Sequence, residues 1–208
     1  LIHALLPIYL LTMANTNLDE PLKLFQQWYC EATEKEVDVP SAMSVATVDA
    51  QGHPSSRMVL LKEYDTRGFV FYTNLESRKA DEIAANPQVS LLFHWKSLKR
   101  QVRIEGTASL VEDATADAYF ATRDRGSQIG AWASRQSHRM KDKHDLKKQV
   151  ALHAVKFGVA RIPRPTFWSG YRVAPDHFEF WDDGNFRLHE RIIYDRTAKG
   201  WQTYQLFP

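Results

Sequence analysis

The spacing of apolar residues is helical near the start of the chain. Apolar side chains recur three and four residues apart, at Leu22, Leu24, Phe25, Trp28 and Tyr29. Residues with this spacing share one face of a helix, which predicts a helix from Pro21 with Asp19 as its N-cap.

The pattern then changes to short strands. Strands are predicted at Ala42–Val48, Ser56–Lys62, Gly68–Thr73, Val89–Trp95, Gln101–Val111, Tyr171–Val173, His177–Trp181, Arg187–Tyr194 and Trp201–Leu206. The turn sequence DAQG between the first two predicts a hairpin. Helical patterns interrupt the series at Ser77–Ala85, Ala114–Arg123, Ser127–Ser134 and Asp142–Phe157. Short strands of this kind predict a mainly β protein, a barrel with peripheral helices, rather than alternating βαβ units.

Composition narrows the class of protein. The chain has 208 residues, enough for one domain, and its 12% aromatic content argues against disorder. The formal net charge of +2 gives none of the strong positive field of a non-specific nucleic-acid binder. The single cysteine, Cys30, cannot form an internal disulfide. We therefore expect a compact cytoplasmic protein that binds no nucleic acid.

The first eleven residues, LIHALLPIYLL, are almost wholly apolar. They are far fewer than the roughly 20 residues that a helix needs to cross a bilayer, and they lack the features of a signal peptide. No membrane association is expected. Because Met13 follows closely, residues 1–12 are interpreted as lying upstream of the true start, with a docking segment as the alternative. The predicted organisation is a tail over residues 1–18 and a single domain over residues 19–208.

Two groups of basic residues suggest anion binding. The sequence Ser-Arg-Lys at 77–79 stands at a predicted helix start, where the helix dipole and free N–H groups favour phosphate. In the segment RLHER, a strand would project Arg187, His189 and Arg191 from one face, where they repel one another unless an anion lies opposite. The preceding Trp181 offers a platform for a flat ring. The alternatives are exposed surface cations in the first case and acidic neighbours in the second.

Two further arrangements concern phosphate. Tyr119, Arg123 and Ser127 are four residues apart, so a continuous helix would stack them on one side unless Gly126 interrupts it. Phenol, guanidinium and hydroxyl are a good donor set for a phosphate monoester, although an ordinary helix surface explains them as well. Strand alternation places Arg57 and Lys62 on opposite faces, which suits two separate phosphates better than one.

Several common kinds of site have no support in the sequence. There is no G-x-G-x-x-G and no P-loop motif. There is also no G-x-S-x-G elbow, no H-E-x-x-H and no paired C-x-x-C, so we expect no metal site. The run KDKHDLKK at 141–148 contains two aspartates and is interpreted as a solvated helix face.

Six segments, in order along the chain, resemble the pyridoxamine 5′-phosphate oxidase family. They are RMVLLK (57–62), FYTNLESRKADEIAANP (71–87), RQVRIEG (100–106), YFATRDRGSQIGAWASRQS (119–137), FWSGYRV (167–173) and EFWDDGNFRLHERIIYDR (179–196). The resemblance implies an FMN-binding split β-barrel that forms a homodimer with FMN at the subunit interface. It also implies oxidation of pyridoxamine or pyridoxine 5′-phosphate to pyridoxal 5′-phosphate, with dioxygen as acceptor and hydrogen peroxide as product.

The resemblance also implies the site residues. FMN would be bound by Arg57, Met58, Val59, Leu60, Leu61, Lys62, Tyr72, Thr73, Arg78, Lys79, Gln101, Gln136, Ser137, Trp181 and Arg191. The substrate would be bound by Lys62, Tyr119, Arg123, Ser127, Arg187, Leu188 and His189. Of these, Arg187 and His189 would lie beside the pyridine ring at the reacting carbon as the catalytic pair.

Two other functions stay open. The family usually carries a basic N-terminal segment over the active site, and the sequence before about Asp19 has no match to it. The first alternative function is therefore that of a non-catalytic protein that binds FMN or pyridoxal phosphate. A split-barrel flavoprotein acting on haem or F420-type ligands is the third possibility, and the RLHER and Y-x-x-x-R-x-x-x-S sequences argue against it.

Overall fold

The computed structural model describes residues 19–208. Its first helix, α1, spans Glu20–Lys35, begins after Asp19 and has a proline in its first turn, as predicted. The buried side of α1 consists of Pro21, Leu22, Phe25, Trp28 and Ala32. The Phe25 ring meets Phe69 and Phe93 at centroid distances of 4.9 and 5.2 Å. This helix therefore covers the aromatic core of the sheet.

The strands of the described residues form one antiparallel sheet. Their bounds are β1 Ala42–Val48, β2 Pro54–Leu60, β3 Glu63–Asp65, β4 Gly68–Asn74, β5 Gln88–Trp95, β6 Arg100–Leu110, β7 Trp168–Asp182, β8 Glu190–Thr197 and β9 Gly200–Gln205. The spatial order is β2-β1-β5-β6-β7-β4-β3, and β8 and β9 continue from β7. The predicted hairpin is formed by β1 and β2. The mainly β class with peripheral helices is confirmed.

Four more helices and two short 3₁₀ turns complete the described chain. The helices are α2 Arg78–Ala85, α3 Asp113–Thr122, α4 Arg125–Ala133 and α5 Asp145–Phe157, and the turns are Lys96–Leu98 and Asn185–Arg187. A second, smaller core of Phe120, Ile129, Ile162 and Trp168 lies beside the main one and includes residues of α3 and α4. It fixes these helices next to the start of β7.

One long strand, β7, replaces two predicted strands. It runs through Pro175 and pairs with β6, β4 and β8. The pairing with β6 shifts between Glu105 and Gly106, opposite Pro175 and His177. A bulge accommodates a proline that cannot donate to the ladder. Gly106 is required here because a Cβ would collide with the Ala174 carbonyl.

The prediction of a strand over Arg187–Tyr194 is wrong at its start. β8 begins at Glu190, and the preceding turn has Phe186 and Arg187 at φ values of 57° and 65°. Left-handed backbone cannot continue a strand. The alternation that would place Arg187, His189 and Arg191 on one face therefore does not apply.

The predicted tail over residues 1–18, including the interpretation of residues 1–12, lies outside the described residues. The assignment of residues 19–208 to a single domain stays a prediction. No helix between residues 19 and 208 is long and apolar enough to cross a membrane.

Candidate active site

A groove of about 1260 Å³ runs between β2, β4 and the helices α2, α3 and α4. Most of the residues predicted to bind FMN or substrate lie on its wall. They are Arg57, Met58, Val59, Leu60, Leu61, Lys62, Tyr72, Thr73, Arg78, Lys79, Tyr119, Arg123, Ser127, Gln136 and Ser137. The fold thus brings together segments that are distant in sequence.

The buried ammonium group of Lys79 lies at the groove wall and is the first candidate anion-binding group. Lys79 is 6% exposed, and its Nζ donates to Thr73 Oγ1 at 2.9 Å, Ser77 Oγ at 3.1 Å and Gln136 Oε1 at 2.7 Å. Burial, with a smaller contribution from Arg57, lowers the pKa of Lys79 to about 8. All three acceptors are uncharged, and a buried charge is costly without a counter-ion. The arrangement is suited to an anion such as phosphate.

The helix start at Ser77 differs in detail from the prediction. Ser77 occupies the N-cap position of α2, but its hydroxyl donates to the Asn74 carbonyl oxygen at 2.7 Å instead of capping the helix. The adjacent Arg78 and Lys79 both reach the groove wall. The basic residues at this helix start therefore face a common space, as an anion site requires.

The Tyr119–Ser127 segment is not one continuous helix. α3 ends at Thr122, Arg123 is extended, and α4 begins after Asp124, whose carboxylate accepts a hydrogen bond from Ser127 N at 2.8 Å. Aspartate is a strong N-cap and starts a new helix here. The break therefore precedes Gly126. Tyr119, Arg123 and Ser127 nevertheless all line the groove.

Arg123 and Lys62 form a second cationic site in the same groove. Arg123 Nη1 is buried and has no hydrogen-bond partner in the described part of the chain. Burial lowers the pKa of Arg123, and burial together with the Arg123 charge lowers the pKa of Lys62. Because β2 ends at Leu60, strand alternation does not extend to Lys62. A buried guanidinium nitrogen without a partner, beside a lysine, indicates a second place for an anion.

Three nearly parallel rings stand next to this second site. Tyr72 stacks on Tyr119 with ring centroids 4.0 Å apart and on Trp168 with centroids 5.2 Å apart. The Arg123 guanidinium lies 4.7 Å from the Trp168 ring centroid. Burial, followed by the charge of Glu63, raises the pKa of Tyr72. Sequence reasoning missed Trp168, although it belongs to the quoted segment FWSGYRV.

The remaining predicted residues do not line the groove of their own chain. They form what we call the β7–β8 cluster, which consists of Gln101, Trp181, Arg187, Leu188, His189 and Arg191. Trp181 pairs with Gln101 on one side and Arg191 on the other. The His189 ring centroid is 4.5 Å from that of Trp181, and His189 Nδ1 lies 3.0 Å from Asp183 Oδ1.

Two buried carboxylates that sequence reasoning missed hold arginines of these sites. Glu82 lies 3.1 Å from Arg57 Nη2 and 2.7 Å from Arg78 Nε. Glu179, which is 7% exposed, accepts a hydrogen bond from Arg191 Nε at 2.7 Å. A glutamate in a sequence is ordinarily solvent-exposed, so nothing in the pattern distinguishes these two.

Replacing Lys79 with methionine is expected to stabilise the ligand-free protein at pH 7 by about 1 to 3 kcal/mol. The pKa of Lys79 falls from its usual 10.5 to about 8 on folding. The unfolded chain therefore binds more protons between these pH values, and stability of the original protein rises with pH across this window. The advantage of Lys79→Met should be complete below pH 8 and shrink as the pH approaches 10.

Urea unfolding in phosphate-free buffer at pH 7 and pH 10 measures this difference. Lys147→Met, which removes an exposed lysine of α5, is the matched control and should leave the free energy of unfolding nearly unchanged. A Lys79→Met protein that is less stable than the original at pH 7 would show that burying the Lys79 charge does not destabilise the fold.

Two family models match the chain. Residues 31–154 match the model described as pyridoxamine 5′-phosphate oxidase. Residues 168–208 match the model described as the pyridoxine 5′-phosphate oxidase C-terminal dimerisation region. The chain belongs to the pyridoxamine 5′-phosphate oxidase family. It is an enzyme, an oxidoreductase of this family.

Individual relatives agree with this assignment. The chain is 58% identical over 190 residues to the pyridoxine/pyridoxamine 5′-phosphate oxidase of Caulobacter vibrioides, covering 91% of this chain and 86% of the relative. Among solved structures, PhzG from Burkholderia lata, in complex with tetrahydrophenazine-1-carboxylic acid, is 32% identical with a TM-score of 0.85 and coverage of 100% and 99%.

A more distant structure shows the fold. A pyridoxamine 5′-phosphate oxidase-related, FMN binding protein from Nostoc punctiforme is 15% identical, with a TM-score of 0.72 and coverage of 88% of this chain and 97% of that one. The predicted split β-barrel fold is confirmed. Within residues 19–208 no three His, Cys, Asp or Glu residues are grouped so that they could hold a metal ion.

Proposed function

We propose that the protein oxidises pyridoxamine or pyridoxine 5′-phosphate to pyridoxal 5′-phosphate, with FMN as cofactor, dioxygen as acceptor and hydrogen peroxide as product. The observation that carries this proposal is the pair of anion sites in one groove, at Lys79 and at Arg123. Both the cofactor and the substrate carry one phosphate monoester. Bound FMN would supply the redox chemistry, accepting a hydride from the substrate C4′ carbon and returning electrons to dioxygen.

The residues around Lys79 fit the FMN phosphate. The Lys79 ammonium donates only to uncharged acceptors, so an anion in the groove would give it a charged hydrogen-bond partner. Arg57 and Arg78 line the same part of the groove and add two guanidinium groups. These three cations would bind the phosphate, and the hydroxyl of Thr73 would add a polar contact.

The residues around Arg123 fit the substrate phosphate. The buried Nη1 of Arg123 would donate to a phosphate oxygen, and Lys62 would add a second positive charge. Tyr119 and Ser127 contribute hydroxyl groups on the same wall. Fixing the phosphate at this end would orient the pyridine ring, and such positioning accounts for a large part of the rate in two-substrate reactions.

Arg187 and His189 would act on the substrate from a second copy of the chain. They belong to the β7–β8 cluster and do not line the groove of their own chain. The dimerisation region that matches residues 168–208 contains both of them. We therefore infer a homodimer in which the β7–β8 cluster of one protomer completes the groove of its partner, with FMN at the interface. Arg187 would favour negative charge near the reacting carbon, while His189 would hold the polar edge of the ring.

A spectrum and a turnover assay test this function. The purified protein should show a flavin absorption spectrum and, on addition of pyridoxine 5′-phosphate in air, form pyridoxal 5′-phosphate and hydrogen peroxide in equal amounts. A yellow protein that forms neither product would favour the binding-protein alternative. A protein that does not take up FMN would refute both functions.

Replacing Gly184 with alanine is expected to lower kcat by about tenfold or more while FMN binding changes little. A Cβ at Gly184 would collide with the backbone carbonyl of Leu188, so the turn that carries Arg187 and His189 must shift. A displacement of about 1 Å in a positioned catalytic group costs rate on the order of 100-fold. Steady-state kinetics and flavin titration measure the two effects.

The matched control is Gly200→Ala, at the first residue of β9, where a Cβ meets no atom within 4 Å and the only cost is the φ of 119°. This variant should lose some stability and keep its kcat. Equal kcat values for Gly184→Ala and the original protein would show that the turn does not position the catalytic pair.

A further inference from the structure

Glu82 is a buried carboxylate that lies behind the groove wall. It belongs to α2, is 4% exposed, and has Ala80 and Ile83 as buried neighbours on the same helix. Burying a carboxylate costs several kcal/mol unless it is paired and hydrogen-bonded. An apolar residue would fill this position more cheaply, so its contacts need an explanation.

The two oxygens of Glu82 connect different elements of the fold. Oε1 accepts from Arg78 Nε at 2.7 Å, and Oε2 accepts from Arg57 Nη2 at 3.1 Å. Oε2 also accepts from Ser55 Oγ at 2.7 Å and from the Thr47 hydroxyl. Although burial alone would raise the pKa of Glu82, these four donors hold it at about 2. The group is therefore charged at every physiological pH.

This carboxylate sets both the orientation and the charge of the site. Arg57 projects from β2 and Arg78 from the start of α2, and each uses part of its guanidinium group on Glu82. The cluster contains three positive side chains, Arg57, Arg78 and Lys79, and one negative side chain, Glu82, so its net charge is +2. A phosphate monoester carries a charge of about −1.5 to −2 near neutral pH. The charges of this cluster therefore balance those of one phosphate group.

We propose that Glu82 is a positioning residue that holds Arg57 and Arg78 in the orientation that receives the flavin phosphate, and so makes the site selective for FMN over riboflavin. This inference rests on the proposed function, because it takes FMN as the ligand. Glu82 itself does not line the groove and would not touch the flavin.

A simple charge effect predicts the opposite result, which makes the proposal testable. Removal of a carboxylate beside three cations raises the positive potential, and without a positioning role this would tighten the binding of an anion. If Glu82 positions the arginines, its loss frees both guanidinium groups and weakens binding of the phosphate, because part of the geometry is lost. The sign of the change in FMN affinity separates the two effects.

The experiment compares three flavin-free proteins: the original chain, Glu82→Gln and Asp81→Asn. Dissociation constants for FMN and riboflavin are measured by quenching of flavin fluorescence. Glu82→Gln should weaken FMN binding by about tenfold or more, the loss typical of a broken buried charge contact, and leave riboflavin within about threefold. Asp81 is exposed on the same helical turn, so Asp81→Asn removes one negative charge without breaking these contacts and should change neither constant by more than about threefold.

Glu82→Asp provides a second variant in case Glu82→Gln does not fold. It keeps the charge but is one methylene shorter, so it cannot reach both arginines, and it should also lose FMN affinity selectively. Unchanged or tighter FMN binding by both folded variants would overturn the inference. Equal losses for FMN and riboflavin would also overturn it, because they indicate a general structural defect. An original chain that binds no FMN would instead refute the proposed function itself.

Discussion

Replacing Arg123 with leucine is expected to raise the KM for pyridoxine 5′-phosphate by about 30-fold or more. Arg123 Nη1 is buried and has no partner among residues 19–208, so it is available to the substrate phosphate. Truncating one partner of a buried charge pair costs about 2 to 5 kcal/mol, which is 30-fold or more in affinity. Steady-state kinetics with varied substrate measure the change. FMN affinity should stay within about threefold, because Lys79 and Arg57 form the other anion site.

Stability distinguishes this effect from misfolding. Arg123→Leu removes a cation whose pKa is lowered by burial, so the flavin-free variant should be at least as stable as the original protein. Arg139→Leu, at an exposed arginine outside the groove, should leave KM unchanged. A normal KM for Arg123→Leu, or an equal loss of FMN affinity, would remove Arg123 from the substrate site.

The elements predicted most closely are those governed by short-range patterns. α1 depends on an apolar stripe at helical spacing and a proline in the first turn, and the β1–β2 hairpin depends on the DAQG turn. Both signals lie within a few residues of the structure they determine. Local sequence was sufficient in these two cases because packing did not oppose it.

The Tyr119–Ser127 segment lines the groove without forming one helix. The spacing aligned the three residues only if a helix continued through Gly126, whereas Asp124 caps a new helix and Arg123 is extended between the two. Spacing alone does not reveal where a helix is restarted by a cap. The residues meet because α3 and α4 both pack beside Trp168, which is a tertiary effect.

Burial of charge was the other feature that sequence could not supply. In the run SRKADE, Glu82 looks like an ordinary helix-surface residue, and Lys79 was assigned to an anion site with no sign of its burial, yet Lys79 and Glu82 are 6% and 4% exposed. The burial of Glu82 depends on β1 and β2, which are distant in sequence and provide Thr47, Ser55 and Arg57. The Lys79 ammonium is bound by Thr73 of β4 and by Gln136. The division of the site into a groove and the β7–β8 cluster is likewise a property of the folded sheet.

Replacing Arg187 with alanine is expected to lower kcat by about 100-fold or more while FMN stays bound. Arg187 has a φ of 65°, and Phe186 directly before it has a φ of 57°. This left-handed backbone conformation costs energy for any residue other than glycine. Such strain is concentrated at functional sites. Removing a positioned guanidinium that stabilises charge in the transition state raises the activation free energy by about 3 to 4 kcal/mol. Single-turnover absorbance of the flavin measures the rate of its reduction.

The conservative variant decides between charge and structure. Arg187→Lys keeps the positive charge and should recover part of the rate, whereas a turn that merely needs its native backbone would respond to both substitutions alike.

Since Arg187 would belong to the partner's groove, an Arg187→Ala protomer paired with an Arg123→Leu protomer should regain one intact site per dimer. At a substrate concentration near the KM of the original protein, both variants should be nearly inactive. Mixing them, after dissociation and reassociation, should then restore about a quarter of the original activity, because half of the dimers are mixed and one of their two sites is intact. Near-normal flavin reduction in Arg187→Ala alone would remove Arg187 from the mechanism, and no recovery on mixing would place both residues in the same protomer's site.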